Sequence, residues 1–373
     1  MVPLDTRSTP GVSRRLTVDL SQVVPGIIDT HIHQWDPFTT PREASRLAPL
    51  YRRAPGLFER LMPVLLDRGG RELILTAQHV ARAYLPADYA ADVATVQTVL
   101  GVPVTDAVHV QCGWHRPDQS EETAWLDVLP FGVEGRPRLA AIVGNADPRD
   151  PEFARHLDDH AAASSRFRGI RFMTAHHPDS GVKSWIEEPG VLTSAPVLRG
   201  LAALVERGQT LDTFVFSHQL REVATLAAEY PELTIVLDHY ATPIGLLGPR
   251  GKATGRTEAE RLDLLARWRD DIAVVAEHQN VVAKHSGLAF PPLGHSARDL
   301  DRSRLAELVA PLVEHTTTVF GADRLVFGSN YPMDKPVARI EAILGALVDL
   351  LAPHGPDLVR KVLHDNAKRV YSL

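Results

Sequence analysis

The sequence Ile27-Ile28-Asp29-Thr30-His31-Ile32-His33 joins a short apolar run to two histidines that are two residues apart. The run is typical of a β-strand, and side chains two residues apart on a strand point to the same side, about 6–7 Å from each other. His31 and His33 can therefore share one metal ion or one substrate. The loop sequence Gln34-Trp35-Asp36-Pro37 follows and predicts the end of the strand, because proline does not continue a paired strand.

Composition restricts the class of protein. The chain has 373 residues, of which 44% are hydrophobic and 23% charged, so it can form one large α/β domain or two smaller ones. A net charge of −6 and the lack of a long Lys/Arg cluster argue against nucleic-acid binding. The opening residues lack the apolar core of a signal peptide, and no apolar run has the length to span a bilayer.

We therefore expect a cytoplasmic protein that acts on a small-molecule substrate and has no membrane partner. The single cysteine, Cys112, fits a reducing compartment and is interpreted as a buried small residue rather than a nucleophile. The oligomeric state has no sequence signature, and a homodimer is the default expectation.

Eight short strand-like runs alternate with segments of helical periodicity. The strand candidates are Gly26–His33, Ala107–Cys112, Leu139–Gly144, Gly169–Met173, Leu211–Ser217, Thr234–His239, Val281–Ser286 and Arg324–Asn330. Helical patterns lie between several of them, at Pro196–Arg207, Leu220–Glu229, Leu305–Val319 and Val337–Leu351. This alternation predicts a parallel sheet covered by helices, and eight units favour a closed (β/α)₈ TIM barrel. A Rossmann fold is disfavoured because no Gly-x-Gly-x-x-Gly follows a strand.

Three segments exceed a minimal barrel. Residues 1–25 form a polar extension, interpreted as an arm or a partly disordered tail, and residues 26–373 form the barrel domain. Residues 36–106 are a long insertion after the first strand, and Gly245–Glu260 follows the sixth. Both insertions should shape the pocket, because the loops that follow barrel strands build the catalytic end.

Polar side chains fall at the predicted carboxyl ends of the strands. In chain order they are His31, His33, Gln111, Asn145, Asp147, Arg171, His218, His239, Lys284, His285 and Asn330. Each one alone is more typical of a solvated strand end. Their convergence on one rim is what the active site of a barrel requires.

The motif Asp29-Thr30-His31-Ile32-His33-x-Trp35-Asp36 resembles the first-strand signature of the amidohydrolase superfamily, in particular its lactonase-like branch of sugar lactonases and 2-pyrone-4,6-dicarboxylate lactonase. Further matches follow in order: Arg168-Gly169-Ile170-Arg171, Val236-Leu237-Asp238-His239, Lys284-x-Ser286-Gly287, Phe327-Gly328-Ser329-Asn330-Tyr331-Pro332 and Asn366-Ala367-x-Arg369-x-Tyr371. The resemblance implies a distorted barrel with one site that is either mononuclear or metal-free.

The resemblance further implies that His31, His33 and His239 form the metal-ligand set. Asn330 stands where the family usually has aspartate, and an amide neither binds a metal nor accepts a proton well. This departure is typical either of a sub-branch or of an inactivating substitution. Asp36 and Asp334 are the nearest carboxylates in sequence.

Two routes to lactone or ester hydrolysis stay open at about equal weight. Three imidazoles can hold Zn²⁺, which lowers the pKa of a bound water to about 7. Without metal, Arg171 and Lys284 can polarise the carbonyl while a histidine acts as base. The residues expected to be catalytic are His239, Asn330, Arg171 and Lys284. Substrate contacts are expected from Trp35, Gln111, His218, His285, Tyr331 and Asp334.

Substrate class follows from the predicted charge of the pocket. Arg171, Lys284 and one of Arg52 or Arg53 would make it cationic, which favours an anionic or polyhydroxylated carbonyl compound. Two other functions remain as alternatives: a metal-dependent decarboxylase of an aromatic acid, and a barrel that binds a ligand without turnover.

Overall fold

Eight parallel strands form the centre of the molecule. The computed structural model describes residues 19–295 and 297–373. The strands are β1 (Ile27–Ile32), β2 (Val104–Val110), β3 (Arg138–Gly144), β4 (Phe167–Met173), β5 (Thr210–Phe214), β6 (Ile235–Leu237), β7 (Val281–His285) and β8 (Leu325–Phe327). They pair in the order β1 to β8, with every pairing parallel.

The ring of strands closes between β1 and the segment after β8. Ile32 and Tyr331 form a parallel bridge, the His33 amide donates to the Tyr331 carbonyl over 2.8 Å, and the Asn330 amide donates to the His31 carbonyl over 2.8 Å. The prediction of a (β/α)₈ TIM barrel is confirmed. This closure places the two histidines at the end of β1 and Asn330 after β8 at the same end of the barrel.

Helices cover the outside of the barrel. Within the described part of the chain they are α1 (Ala48–Arg53), α2 (Pro55–Leu65), α3 (Arg68–Ile74), α4 (Pro86–Leu100), α5 (Ser120–Asp127), α6 (Phe153–Ala163), α7 (Ala195–Arg207), α8 (Leu220–Glu229), α9 (Glu258–Ala276), α10 (Arg302–Phe320), α11 (Ile340–Leu351), α12 (Pro356–Arg360) and α13 (Asn366–Val370). The four predicted helices correspond to α7, α8, α10 and α11. None of the described helices combines the length and apolarity needed to cross a membrane.

The predicted limits of the first insertion are corrected by the structure. Helix α4 packs its buried Tyr89, Val93 and Val96 into the main core, so it belongs to the barrel. Strand β2 starts at Val104, inside the range 36–106 that was assigned to the insertion. The segment that exceeds the barrel therefore ends near residue 85. Of the predicted extension, residues 1–18 lie outside the described residues.

Two apolar layers hold the barrel together. The interior is filled mainly by small side chains from alternating strand positions, which are Val108, Val110, Ala141, Val143, Val236, Val282 and Val326, together with Val370 and Tyr371 from the end of the chain. A larger layer of Leu, Ile and Phe side chains lies between strands and helices. Tyr371 follows α13, and its hydroxyl donates to Asp212 Oδ2 over 2.9 Å. The end of the chain thus reaches the polar interior of the barrel.

Helix α3 of the insertion packs on loops at the carboxyl ends of the strands. The Gly251 amide donates to Glu72 Oε2 over 2.7 Å. A Cβ at Gly69 would lie 2.4 Å from the Lys183 amide nitrogen, so only glycine permits this approach. Because Lys183 and Gly251 belong to the loops after β4 and β6, α3 covers part of the catalytic end.

Candidate functional site

Three histidines converge at the carboxyl end of the barrel. The ring centroid of His31 is 4.9 Å from that of His33 and 4.5 Å from that of His239. All three side chains are buried, with at most 3% of their surface exposed. The predicted convergence of β1 and β6 on one site is therefore present, well inside the distance that a single ligand can span.

Asp29 anchors the β1 motif without entering the centre. Its Oδ1 accepts hydrogen bonds from the amides of Ser329 (2.8 Å) and His31 (3.2 Å), and its Oδ2 accepts one from Tyr89 (2.8 Å). This single carboxylate joins β1, α4 and the segment after β8. Its role is to hold the strand that carries His31 and His33.

A left-handed turn after β6 brings His239 into the centre. His239, Tyr240 and Ala241 have φ values of 51°, 58° and 54°, which non-glycine residues rarely adopt. Trp268 holds the turn by donating its indole N–H to the Tyr240 carbonyl over 2.8 Å. Such conformations persist only where surrounding contacts impose them, and they cluster at functional sites.

The carboxylate of the centre is Asp238, which the sequence reasoning did not select. Its Oδ1 lies 3.3 Å from His31 Nδ1 and 3.0 Å from Lys284 Nζ. Lys284 also donates to Asp212 Oδ2 over 2.7 Å. Burial alone would raise the pKa of Asp238, but Lys284 and His31 hold that pKa well below its usual range. Asp238 is therefore ionised in the folded protein.

Asp212, on β5, is the second carboxylate that sequence reasoning missed. Burial raises its pKa, although Lys284 and Tyr371 act in the opposite direction. The ammonium of Lys284 thus lies between two buried aspartates and 3.2 Å from His31 Nδ1. Lys284 is fully buried, and its positive charge is balanced by these two carboxylates. A direct contact between Lys284 and the substrate carbonyl stays a prediction that this geometry does not favour.

Each imidazole of the centre is held through Nδ1. His33 Nδ1 donates to the Val110 carbonyl over 2.7 Å, and His239 Nδ1 lies 2.7 Å from Ser286 Oγ. His31 Nδ1 lies 3.3 Å from Asp238 Oδ1 and 3.2 Å from Lys284 Nζ, and its Nε2 is buried and without a hydrogen-bond partner. In all three rings Nε2 is the atom left available, which is the arrangement of metal-binding histidines with outer-sphere support.

The donor set fits a divalent metal ion. His31, Asp238 and His239 each offer a ligand atom, and these atoms lie within 4.8 Å of one another. Metal ligands must be deprotonated, and burial lowers the pKa of His239 to about 3, despite the opposite effect of Asp238. Burial also lowers the pKa values of His31 and His33 well below the usual value. His33 as a third imidazole ligand stays a prediction.

A second cluster, formed by His109, Cys112 and Glu122, has metal-ligand chemistry but already holds a cation. Arg42 lies 2.8 Å from Glu122 Oε1 and 2.8 Å from Cys112 Sγ. His109 Nε2 accepts the Gln34 amide over 2.9 Å. Burial raises the pKa of Cys112 to about 12, which agrees with its interpretation as a non-nucleophilic residue.

Arg171 and Gln111 lie at the centre as predicted. Arg171 donates to the Gln111 carbonyl, its Nη1 is 3.8 Å from Asp238 Oδ2, and its buried Nε has no hydrogen-bond partner. The side-chain amide of Gln111 accepts the Gly113 N–H over 2.9 Å, while its buried Nε2 is unpartnered. These donors can bind an oxygen of a substrate.

Two histidines that were predicted to contact the substrate, His285 and His218, have other surroundings. His285 is fully buried with its ring nitrogens 2.7 Å from Tyr240 Oη and 3.4 Å from Thr317 Oγ1, so it faces α10, and its predicted contact with substrate stays a prediction that this geometry does not favour. His218 is exposed in the turn after β5, and its ring lies 5.4 Å from that of His177.

Trp35 and Tyr331, which were predicted to contact the substrate, use their polar groups in hydrogen bonds within the rim. The Tyr331 hydroxyl donates to the Ala338 carbonyl over 2.8 Å. Trp35 donates to the Arg82 carbonyl over 2.9 Å, and its ring stacks against that of His33 at 6.5 Å. Arg52 and Arg53 are exposed on α1, and neither contributes to the centre.

Asn330 and Asp334 form a buried pair at the β8 side. Asn330 Nδ2 donates to Asp334 Oδ1 over 2.7 Å, and the Ala289 amide donates to Asp334 Oδ2 over 2.9 Å. Burial raises the pKa of Asp334 well above its usual range. Asp36 accepts hydrogen bonds from Phe38 and Thr39 in its own turn. Neither of these carboxylates is the acidic group of the histidine centre.

Fold and centre together define an enzyme of the amidohydrolase class, and comparison with known proteins agrees. The amidohydrolase family model matches residues 28–373, so the chain belongs to the amidohydrolase family. An uncharacterized protein, y4mH, from Sinorhizobium fredii is 28% identical over 92% of this chain and 98% of its own length. An L-fucono-1,5-lactonase from Burkholderia ambifaria is 32% identical over 197 residues, which are 53% of this chain and 57% of the lactonase.

Solved structures of an amidohydrolase from Burkholderia multivorans share the fold. The form with bound HEPES superimposes with a TM-score of 0.66 at 24% identity, and the form with bound zinc with a TM-score of 0.65 at 23% identity. Each covers 93% of this chain and 99% of the other. At this identity the likeness establishes the architecture of the barrel.

Proposed function

We propose that this protein is a metal-assisted hydrolase that opens a lactone or a related ester. The observation that carries the proposal is the buried group of His31, His239 and Asp238, with ligand atoms within 4.8 Å and an unpartnered His31 Nε2. The lactonase relative supports ester chemistry, and the zinc in the Burkholderia multivorans amidohydrolase supports a metal at such a centre. The metal-free route is disfavoured because burial makes these imidazoles weak proton acceptors.

The residues of this chain would orient the reactants. His31, His33, His239 and Asp238 would hold the metal, which would supply Lewis acidity toward the carbonyl and the attacking water. Arg171 Nε, which is buried and unpartnered, can donate to the oxygen that gains negative charge when water adds to the carbonyl. Asn330 gives its N–H to Asp334, so its amide oxygen is the atom that can accept a hydrogen bond from water or a substrate hydroxyl.

Elemental analysis and a lactone panel test this proposal. The purified protein should contain about one equivalent of divalent metal and should lose lactonase activity when a chelator removes it. His239→Ala should lower both metal content and turnover. His354→Ala, which changes an exposed histidine outside the centre, is the matched control and should change neither. Turnover that persists in a fully metal-depleted protein would refute the metal-assisted route.

A further inference from the structure

The catalytic end of the barrel has an apolar half beside the histidine centre. A buried cluster consists of Ala175, Phe214, Phe216, Ile244 and Phe290, and the partly buried side chains packed on it are Leu73, Met173, Val182, Trp185 and Met333. Apart from Leu73 on α3, these residues end β4 or β5 or follow strands β4 to β8. They therefore lie at the same end of the barrel as His239.

Two phenylalanines bring this apolar cluster directly to the centre. The ring of Phe290 is 5.5 Å from the ring of His239, and the ring of Phe214 is 5.8 Å from it. Trp185 packs edge-to-face on Phe214 at 4.9 Å. Any substrate atom that reaches His239 from the side of β5 or β7 meets aromatic carbon.

The side chains of the centre do not by themselves make a cationic pocket. The ammonium of Lys284 is 2.7 Å from Asp212 and 3.0 Å from Asp238, so two carboxylates face its one positive charge. Arg171 is 3.8 Å from Asp238, and the two arginines on α1 are exposed. The part of the charge argument that rested on Lys284, Arg52 and Arg53 therefore loses its support, and the charge of a bound metal would act only at the reacting ester group.

A polyhydroxylated substrate fits this surface poorly. Each hydroxyl that loses water needs a protein partner, and the rings of Phe214, Phe290 and Trp185 provide none on their carbon surfaces. Unpartnered donors at the centre, such as Arg171 Nε and Gln111 Nε2, suffice for the oxygens of one ester group. The polar donors of the centre can thus bind the oxygens of the reacting ester, while the wall formed by these three rings can bind only hydrocarbon.

We propose that the substrate carries an apolar body, aromatic or alkyl, next to the scissile ester, and that this body packs against Phe214, Phe290 and Trp185. This inference rests on the proposed ester hydrolysis and specifies its substrate class. A cavity of about 20 Å³, lined by Leu73, Trp185, Phe216 and Ile244 among others, lies beside α3. The cavity shows that the apolar cluster is incompletely filled next to α3, although its volume holds no more than one water.

Three six-membered lactones test the class: δ-phenyl-δ-valerolactone, unsubstituted δ-valerolactone and D-glucono-1,5-lactone. Each kcat/KM is divided by the rate constant for hydroxide-catalysed opening, which removes intrinsic reactivity. We expect the normalised value for the phenyl lactone to exceed that for gluconolactone by about 10²-fold, as burial of one phenyl ring implies. A gluconolactone value that equals or exceeds the phenyl value would overturn the substrate class and leave ester hydrolysis standing.

Two variants test whether the aromatic wall causes the preference for the phenyl lactone. Phe290→Leu should reduce the preference for the phenyl lactone over δ-valerolactone by about tenfold, because the flat aromatic wall is lost. Phe153→Leu is the control, since Phe153 is equally buried but lies on α6 in the helix layer. It should leave the preference unchanged even if stability falls. An unchanged preference in Phe290→Leu would contradict the proposed packing.

If the protein opens none of these lactones, the proposal of ester hydrolysis fails. Binding measured by calorimetry then still tests whether the site prefers an apolar ligand. The probes are the ring-opened acids, 5-hydroxy-5-phenylpentanoate and gluconate. Tighter binding of the phenyl acid, by about tenfold or more, would support the apolar body. Equal affinity, tighter binding of gluconate, or no binding of either acid would overturn it.

Discussion

The turns that follow β6 and β8 both place non-glycine residues in left-handed backbone, yet they bring different chemistry to the centre. After β6, with His239 at φ 51°, the carboxylate of Asp238 and the imidazole of His239 both face His31. After β8, with Asn330 at φ 55°, an amide donates to a buried carboxyl group instead. The acidic group that the sequence reasoning sought at β8 is thus supplied at β6.

This difference shows how an amide at β8 is compatible with an active centre. The active centre requires a carboxylate among the imidazoles, and the strand that supplies this carboxylate matters less. Asp238 meets that requirement because Lys284 keeps it ionised. Asn330 then needs no proton-accepting role. An inactivating substitution is an unnecessary explanation for the amide.

Removal of His31 and His33 should have the largest effect on activity. The double variant His31→Ala/His33→Ala should lower kcat/KM by about 10⁴-fold or more, because it removes two of the proposed metal ligands. The fold should persist, since strand-end polar residues serve chemistry more than packing. Steady-state kinetics and circular dichroism measure the two effects. Near-parental kcat in the double variant would show that the pair is structural.

Loss of the β6 carboxylate should have the next largest effect. Asp238→Asn keeps the shape but removes the charge beside His31, so kcat/KM should fall on the order of 10³-fold and metal content should drop. Lys284 keeps Asp212 as its partner, so the free energy of unfolding should fall by only about 1–3 kcal/mol. Asp263→Asn, on an exposed part of α9, is the control for both readouts. Activity within tenfold of the parent would remove Asp238 from the mechanism.

Support of His239 by Ser286 should matter less. Ser286→Ala removes the partner of Nδ1 and should lower metal affinity or kcat/KM by about 10–100-fold, the usual range for residues that orient ligands. Ser329→Ala removes a buried hydroxyl beside β8 whose hydrogen bonds are to the Tyr331 amide and the Asp29 carboxylate. It should affect thermal stability without changing metal affinity. Equal losses of metal affinity in both variants would contradict the assignment of Ser286.

The elements of the fold were accessible to sequence reasoning because their signals are local. Every predicted strand overlaps a strand of the barrel, and α8 has the predicted bounds, since helical periodicity and a neighbouring Gly or Pro mark its ends. The histidines were found because spacing of two on one strand is also a local signal. The insertion boundary failed because what separates α4 from the insertion is its packing into the barrel core, which the sequence does not show.

The carboxylates were missed because buried strands do not reveal which face is inward. Val236 and Val282 point into the barrel, so Asp238 and Lys284 continue the inward series while His285 falls on the outward one. Strands that are apolar on both faces hide this alternation in the sequence. His239 is also outward by alternation, and only the left-handed turn redirects it. No sequence pattern predicts positive φ at a histidine.

Exchange of the side chains of Asn330 and Asp334 should change activity least among these variants. Asn330→Asp alone would place two carboxyl groups about 2.7 Å apart in a buried site, so one must keep its proton. A carboxyl group whose pKa is raised by folding binds its proton more tightly in the folded state. Stability is then lost as pH rises from about 4 through the raised pKa. We expect the single variant to lose about 2 kcal/mol at pH 5 and more at pH 8.

The double variant Asn330→Asp/Asp334→Asn reverses the hydrogen bond and should recover most of that loss in thermal melts at both pH values. It also places a carboxylate at the family position of β8 without a like-charged neighbour. Because Asp238 already supplies the charge, kcat/KM should change by no more than about tenfold, while zinc occupancy should rise with the added negative charge near the imidazoles. A gain on the order of 10³-fold would mean that the amide was the defect and that Asp238 does not replace the missing acid.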